Sequence, residues 1–282
     1  MNVIDNFFEK IASLPMMPKV IQEVLIMLES DEIDTNKLVH KIDQDQVLAA
    51  KVLRLSNSSY YGRVGTVKNV NEAIAVTGLR NLKTLVIASG ISAAFTKIPG
   101  FDLTRFWRHS LMTANIAREI AKEQHQDTET TYISALMHSI GQLPIHLVFP
   151  AAGAEIDDAC HGKSVLERKN VEHTKVGVDH CMIGAELAKR WNFPEEIQRA
   201  IRYYADPLNE NACDLAPIIY MASHISYDLE AGESPEKTAT TLNPDVAAKL
   251  HVDINAFPEK IEDYKAFLTE AEGFVGTQNL KN

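Results

Sequence analysis

Nowhere in the 282 residues does hydrophobicity alternate with period two over a useful length; apolar residues recur every three to four positions instead. Val20, Val24, Leu25, Met27 and Leu28 form one such stripe, and Leu38, Val39 and Ile42 another. A half-buried strand needs the period-two pattern, so the chain is confined to the all-α class. The chain breakers agree with this. There are 13 Gly and 11 Pro, against the roughly 34 that average usage gives for this length.

Short polar residues mark where these helices begin. Asp34 and Asp45 stand ahead of apolar-periodic runs as N-caps, and Asn69 or Asn71 opens a further helix that Gly78 stops. Leu82 to Phe95 gives another apolar helix. A seam falls at Lys97-Ile98-Pro99-Gly100, and beyond it the helices lengthen, at about 103–123, 129–140, 177–191, 194–204 and 213–229. Ala231 to Leu242 reads as a loop. Asn243-Pro244 caps a helix through Leu250, and a last helix runs from about 255 to 272. The expected organisation is one two-lobed unit: a helical lobe over 1–97, a second over 98–229, and a helical tail over 230–282.

Charge and cysteine usage exclude several functions. The formal net charge of -10 argues against a nucleic-acid binder, which tracks phosphates with a basic surface. Cys160, Cys181 and Cys213 are far apart and odd in number, so neither a disulfide framework nor a thiolate zinc site is expected. The start, MNVIDNFFEK, carries Asp5 and Glu9 where a secretory signal needs a basic start and an apolar run. Residues 130–154 hold no Asp, Glu, Lys or Arg, yet His138, Gly141, Pro144 and Pro150 interrupt them, so they read as buried helices with breaks. A cytoplasmic protein with no membrane or nucleic-acid partner is expected. No nucleophile elbow, glycine-rich phosphate loop or CxxC motif is present.

Histidines are the informative polar residues of the second lobe. His109, His138 and His180 each lie on or beside a strongly apolar helical face. Three imidazoles from three helices of a bundle can converge on a transition metal; each alone can equally be a satisfied core residue.

The chain resembles the HDOD domain family. The resemblance rests on Leu14-Pro-Met-Met-Pro18, the run from Asp45 to Gly62, Ala73-Ile-Ala-Val-Thr-Gly-Leu-Arg80, Trp107-Arg-His-Ser110, Leu136-Met-His-Ser-Ile-Gly141, and Gly177-Val-Asp-His180 with Trp191-Asn-Phe-Pro194. These occur in order over residues 8–225. The resemblance implies descent from HD metal-dependent phosphohydrolases, in which a histidine, a His-Asp pair and a distant Asp hold a divalent metal. His109 falls on the first histidine and His138 on that of the pair. Ser139 occupies the paired aspartate position, and Ser223 the distant one. His180 matches an additional histidine of two-metal versions, and Tyr203-Tyr204 replaces a later His-His pair.

Hard divalent cations need carboxylate oxygens, so serines at both places imply a degenerate, non-catalytic site. His109, His138 and His180 would then be vestigial metal positions, with no cofactor expected beyond a residual divalent ion. Glu172 or Asp179, both near His180 in sequence, is the alternative source of a carboxylate, but each reads as a solvated charge at a helix start. The expected function is a signalling or regulatory module. It would bind a signalling protein or a small nucleotide-like ligand in a cleft near Ser139, Tyr203 and Ser223, between the lobes. The competing readings are an HD-type phosphohydrolase acting on a nucleotide or cyclic dinucleotide, and a purely structural interaction domain.

Overall fold

Short polar residues set the helix starts as the sequence predicts. In the computed structural model, which describes residues 3–10, 17–28, 32–57, 67–95 and 97–275, all regular structure is helical. The first helices are α1 (Val3–Glu9), α2 (Lys19–Leu28), α3 (Thr35–Asp43), α4 (Gln46–Ser56) and α5 (Val70–Ala94). Asp34 accepts from Lys37 N at 3.1 Å to open α3, Asp45 accepts from Val47 N and Leu48 N at 3.0 Å each to open α4, and Asn69 accepts from Glu72 N at 2.9 Å to open α5. Gly78 sits inside α5 with φ 78° and ψ 164°, a conformation only glycine adopts easily, so two helical segments meet there at a kink. This is the stop expected at Gly78.

The remaining helices are α6 (Leu103–Glu123), α7 (Thr128–Met137), α8 (Gln142–Val148), α9 (Pro150–Ala159), α10 (Val165–Val176), α11 (His180–Arg190), α12 (Glu195–Tyr203), α13 (Leu215–Glu230), α14 (Pro235–Thr241), α15 (Pro244–Lys249), α16 (Phe257–Tyr264) and α17 (Ala266–Val275). The chain divides into two compact units: the described residues of Pro15–Thr96 with Glu272–Asn282, and those of Met1–Leu14 with Lys97–Ala271. In the smaller unit α5 packs on α4 and α2, around the fully buried Val24, Leu38, Ile42, Val52, Leu82 and Val86. The Asn57 amide bonds both Val67 O and Val67 N at 2.9 Å, fixing the chain on either side of a nine-residue segment. Residues 58–62, the end of the motif that begins at Asp45, lie outside the described residues, as does most of the Leu14–Pro18 motif.

In the larger unit α6 packs on α7 and α13, and α11 packs on α12. Trp107, Met112, Ile116 and Ile120 of α6 are buried almost completely. The stretch 130–154 forms three short helices broken near Ser139 and Phe149, as its prolines and glycine predict. The division between units falls at residues 96/97, and residues 230–271 and helix α1 belong to the larger unit. Phe7 of α1 meets Phe149 with ring centroids 6.1 Å apart, and Arg190 lies over the Phe8 ring at 4.3 Å.

Two expectations are corrected. The segment 231–242 contains α14, because Ser234 caps it, Pro235 pre-sets its first turn, and Pro235, Thr238 and Ala239 share a buried face. The single last helix is two, α16 and α17, meeting at Lys265. Val70–Ala94 is long and apolar enough to cross a membrane by length and composition, but the kink at Gly78 breaks it and much of its surface is buried within its own unit.

Candidate functional site

Helix phase brings the site together from α6, α7 and α13. On α6, His109 and Thr113 are one turn apart; on α13, Ser223, Ser226 and Glu230 follow one another along a single face. Thr113 Oγ1 donates to Ser226 Oγ at 3.2 Å and sets the register of the two helices. His109 then spans two turns of α13. Its Nδ1 lies 2.9 Å from Glu230 Oε2 and its Nε2 lies 3.4 Å from Ser223 Oγ. Because a carboxylate only accepts, the ring proton sits on Nδ1 and a lone pair remains on Nε2. Burial pushes the Glu230 carboxyl up, but bonds from His109 and Arg108 more than offset this and hold it below the usual carboxylate range.

His138, the C-cap of α7, enters from the other side. Its Nδ1 donates to Ala135 O at 2.6 Å, so its Nε2 also carries a lone pair. That atom lies 3.5 Å from Ser223 Oγ, and the His109 and His138 rings are 5.5 Å apart. Burial first, and then the two further imidazoles close by, hold the His138 ring neutral, well below the usual histidine range. One hydroxyl thus stands between two imidazole acceptors.

His180 does not join them. It is the first residue of α11 and fully buried. Its Nδ1 lies 2.5 Å from Glu172 Oε2, which also accepts from His180 N at 2.8 Å, and its Nε2 lies 2.6 Å from the Tyr204 hydroxyl. Burial alone would discharge the ring. The Cys181 sulfur, 3.5 Å from Nε2, and the Glu172 carboxylate oppose this and lift it to about 10. His180 is therefore an imidazolium that donates to the Tyr204 oxygen, and burial keeps that phenol neutral. The Tyr204 ring in turn packs edge-on against His138, with centroids 4.9 Å apart.

The reading of Glu172 and Asp179 as solvated charges is corrected. Glu172 lies within α10, has no exposure, and is held low, against burial, by His180 and Arg168, whose Nε donates to it at 2.9 Å. Asp179 does cap α11, accepting from Met182 N at 2.8 Å, but is itself buried.

A cavity of about 320 Å³ opens on these groups, within the range of small-molecule pockets. His109, His138, Ser139, Ser223, Tyr204 and Glu230 line it, with Phe101, Tyr220 and Tyr227 on its walls and the exposed Arg105 and Lys163 at its edge. Every lining residue lies between 101 and 230, so the cavity belongs to the larger unit alone. Of the residues expected at the cleft, Ser139 and Ser223 line this cavity and Tyr203 does not; Tyr204 does. The buried face of α12 runs through Ile197, Ala200, Ile201 and Tyr204, and one residue's rotation turns Tyr203 off that face. The sequence reading also missed Glu230; seven residues after Ser223 on one helix, it repeats that serine's face.

The fold is that of the helical HD-like proteins. A family model for the HDOD domain matches residues 14–207, and the chain belongs to that family. A solved structure from Shewanella amazonensis SB2B, of a protein provisionally named a phosphohydrolase, is 29% identical, covers 95% of this chain and 97% of its own, and has a TM-score of 0.77. An HDOD domain protein of unknown function from Geobacter sulfurreducens is 21% identical with a TM-score of 0.75, covering 99% of this chain and 97% of its own. An uncharacterised Treponema pallidum protein is 24% identical over 198 residues, 70% of this chain; the match spans 38% of that relative's length.

The family's HD relatives imply a divalent metal, and the donor set here does not fit one. Where the two Nε2 atoms converge, the third group is a neutral hydroxyl. The neighbouring carboxylate, Glu230, is committed to His109 Nδ1 and Arg108, and His180 has both ring nitrogens occupied. No group of three or more His, Cys, Asp or Glu among the described residues is arranged to hold a metal. Without an anionic oxygen ligand the site is unsuited to a hard cation.

Proposed function

We propose that the chain is a cytoplasmic HDOD signalling module whose cavity binds a small nucleotide-like ligand, and that it does not hydrolyse phosphodiesters with a metal. One observation carries the reading: Ser223 Oγ stands 3.4 Å from His109 Nε2 and 3.5 Å from His138 Nε2, where a metal-bearing site needs a carboxylate. The aromatic walls suit a base, and Arg105 and Lys163 at the edge suit a phosphate. Signalling to a protein partner would follow from ligand occupancy.

The Shewanella relative supports the competing reading of a phosphohydrolase, and the test separates the two. Protein purified without an affinity tag is assayed for bound metal and, with added Mn²⁺, for hydrolysis of a cyclic purine dinucleotide. The expected result is substoichiometric metal and no product, with calorimetric binding of the dinucleotide that His109→Ala weakens. Stoichiometric metal with hydrolysis lost in His138→Ala would overturn the proposal.

A further inference from the structure

The geometry points to a second chemistry in the same cavity: Ser223 is a nucleophile, His109 its base and Glu230 the carboxylate that positions that base, so that the chain cleaves a small carboxylic ester without a metal. This goes beyond the binding reading and does not depend on which ligand that reading names.

Three observations combine. Glu230 Oε2 holds His109 Nδ1 at 2.9 Å, and His109 presents its Nε2 to Ser223 Oγ at 3.4 Å. This is the nucleophile, base and orienting acid of serine hydrolases, a constellation recognised by geometry and roles rather than by fold or chain order. A contact of 3.4 Å is long, as nucleophile–base contacts are before substrate tightens them. The second observation is access. All three residues line the 320 Å³ cavity, and His109 and Ser223 are part-buried, neither sealed in the core nor open to bulk water.

The third observation selects the base and supplies a donor. Ser223 meets two imidazoles, but only His109 has a carboxylate behind it to compensate the imidazolium that forms; behind His138 stands only the Ala135 carbonyl. Tyr204 also lines the cavity, with its hydroxyl 2.6 Å from His180 Nε2; that O–H, turned to the cavity, is the kind of group that stabilises a developing oxyanion.

The reaction balances within these groups and one water. Ser223 Oγ attacks the ester carbonyl carbon while its proton moves to His109 Nε2, and the carbonyl π electrons move to oxygen. Collapse of that intermediate breaks the bond to the alkoxide, which takes the proton from His109 and leaves as the alcohol. The acyl group remains on Ser223 Oγ. Water, deprotonated by His109, then attacks it, releasing the carboxylic acid and returning the proton to Ser223.

The test uses the full chain in excess EDTA with a fluorophosphonate probe, intact mass spectrometry and peptide mapping, alongside p-nitrophenyl acetate turnover. The expected result is one adduct, on Ser223, absent in Ser223→Ala, with turnover falling about 10²-fold or more in Glu230→Gln. The positioning role of Glu230 has its own signature: a far-downfield Nδ1 proton of His109 in the NMR spectrum, lost in Glu230→Gln while circular dichroism still shows the folded helical chain. Folded wild-type protein that takes up no label, or takes it up on another residue, overturns the proposal. Because dinucleotide binding is measured without covalent chemistry, that failure would leave the binding reading untouched.

Discussion

Replacing Glu172 with glutamine removes a charge that has no exposure while keeping its shape. The carboxylate meets His180 Nδ1 at 2.5 Å, His180 N at 2.8 Å and Arg168 Nε at 2.9 Å. Glutamine can keep part of this bonding but takes the carboxylate from the buried His180 imidazolium, while the part-buried Arg168 keeps Asp157 at 2.7 Å. Breaking one side of a buried pair costs about 3–5 kcal/mol. Titration sets only a ceiling, because Cys181 as well as Glu172 holds the His180 proton. His180 titrates at 6.5 when unconstrained and at about 10 in the fold, and each pH unit between is worth about 1.4 kcal/mol, for a ceiling of ~5 kcal/mol. Because the folded state binds the proton more tightly, this stabilisation is complete below pH 6.5, shrinks as pH rises and is gone above about 10. Glu172 adds the opposite slope at the acid end, since its lowered pKa stabilises the fold above 4.5 and that contribution is lost as pH falls below it. Urea unfolding followed by circular dichroism at pH 7 and pH 9 reads both effects. Glu172→Gln should lose about 3–5 kcal/mol at pH 7, narrowing to about 1–2 kcal/mol at pH 9 as the wild type surrenders its own share. A loss under about 1 kcal/mol at pH 7, or one equally large at pH 9, would refute the imidazolium assignment.

Two further substitutions probe the packing around the site and in the other unit. A Cβ at Gly141 would lie 2.0 Å from His180 O and 2.6 Å from Gly184 N, so Gly141→Ala must push α11 away. It should cost about 3 kcal/mol or more in thermal unfolding; a melt within a degree of wild type would show that the helix start gives way freely. In the smaller unit burial lowers the Lys51 ammonium to about 8, although its Nζ donates to Ser92 Oγ at 2.7 Å. A folded pKa below the ordinary 10.5 means that the cost of holding the charge is full below pH 8 and vanishes above 10.5. Lys51→Met should therefore stabilise the protein by about 1–2 kcal/mol at pH 7 and by less at pH 10, and chemical denaturation showing no gain at pH 7 would count against it.

The helices and their starts were legible because capping and periodicity are local. Asp34, Asp45, Asn69 and Asn243 each bond a backbone N–H within three residues. What the sequence hid was burial of charge. Glu172 sits on the polar α10 among Glu167, Arg168 and Lys169, and nothing within a turn of it says that the next helix lays His180 against it. Tyr204 was within reach: counting Ile197, Ala200 and Ile201 as the inner face of α12 selects it over Tyr203. Glu230 was harder, because its role depends on α13 crossing α6 at one register, fixed by Thr113 and Ser226. The same locality explains why α14 read as a loop. Its polar residues face solvent, and only Pro235, Thr238 and Ala239 report the packing.

Proton placement explains why three histidines do not amount to one metal site. Glu230 and the Ala135 carbonyl each pin a proton on Nδ1, leaving two Nε2 lone pairs pointing at Ser223. Glu172 gives His180 both protons and turns it into a donor to Tyr204. The cavity floor therefore offers acceptors at the two imidazoles, with the Tyr204 phenol as the proposed donor. On that floor a phosphate oxygen, itself an acceptor, would face lone pairs, so the phosphate of the proposed nucleotide-like ligand belongs at the edge, beside Arg105 and Lys163. A carbonyl group suits the same floor, its carbon facing a hydroxyl whose proton has an acceptor and its oxygen facing a donor. Serines at these two positions, where the HD resemblance implies carboxylates, would suit the proposed chemistry: a carbonyl can be met there without a metal.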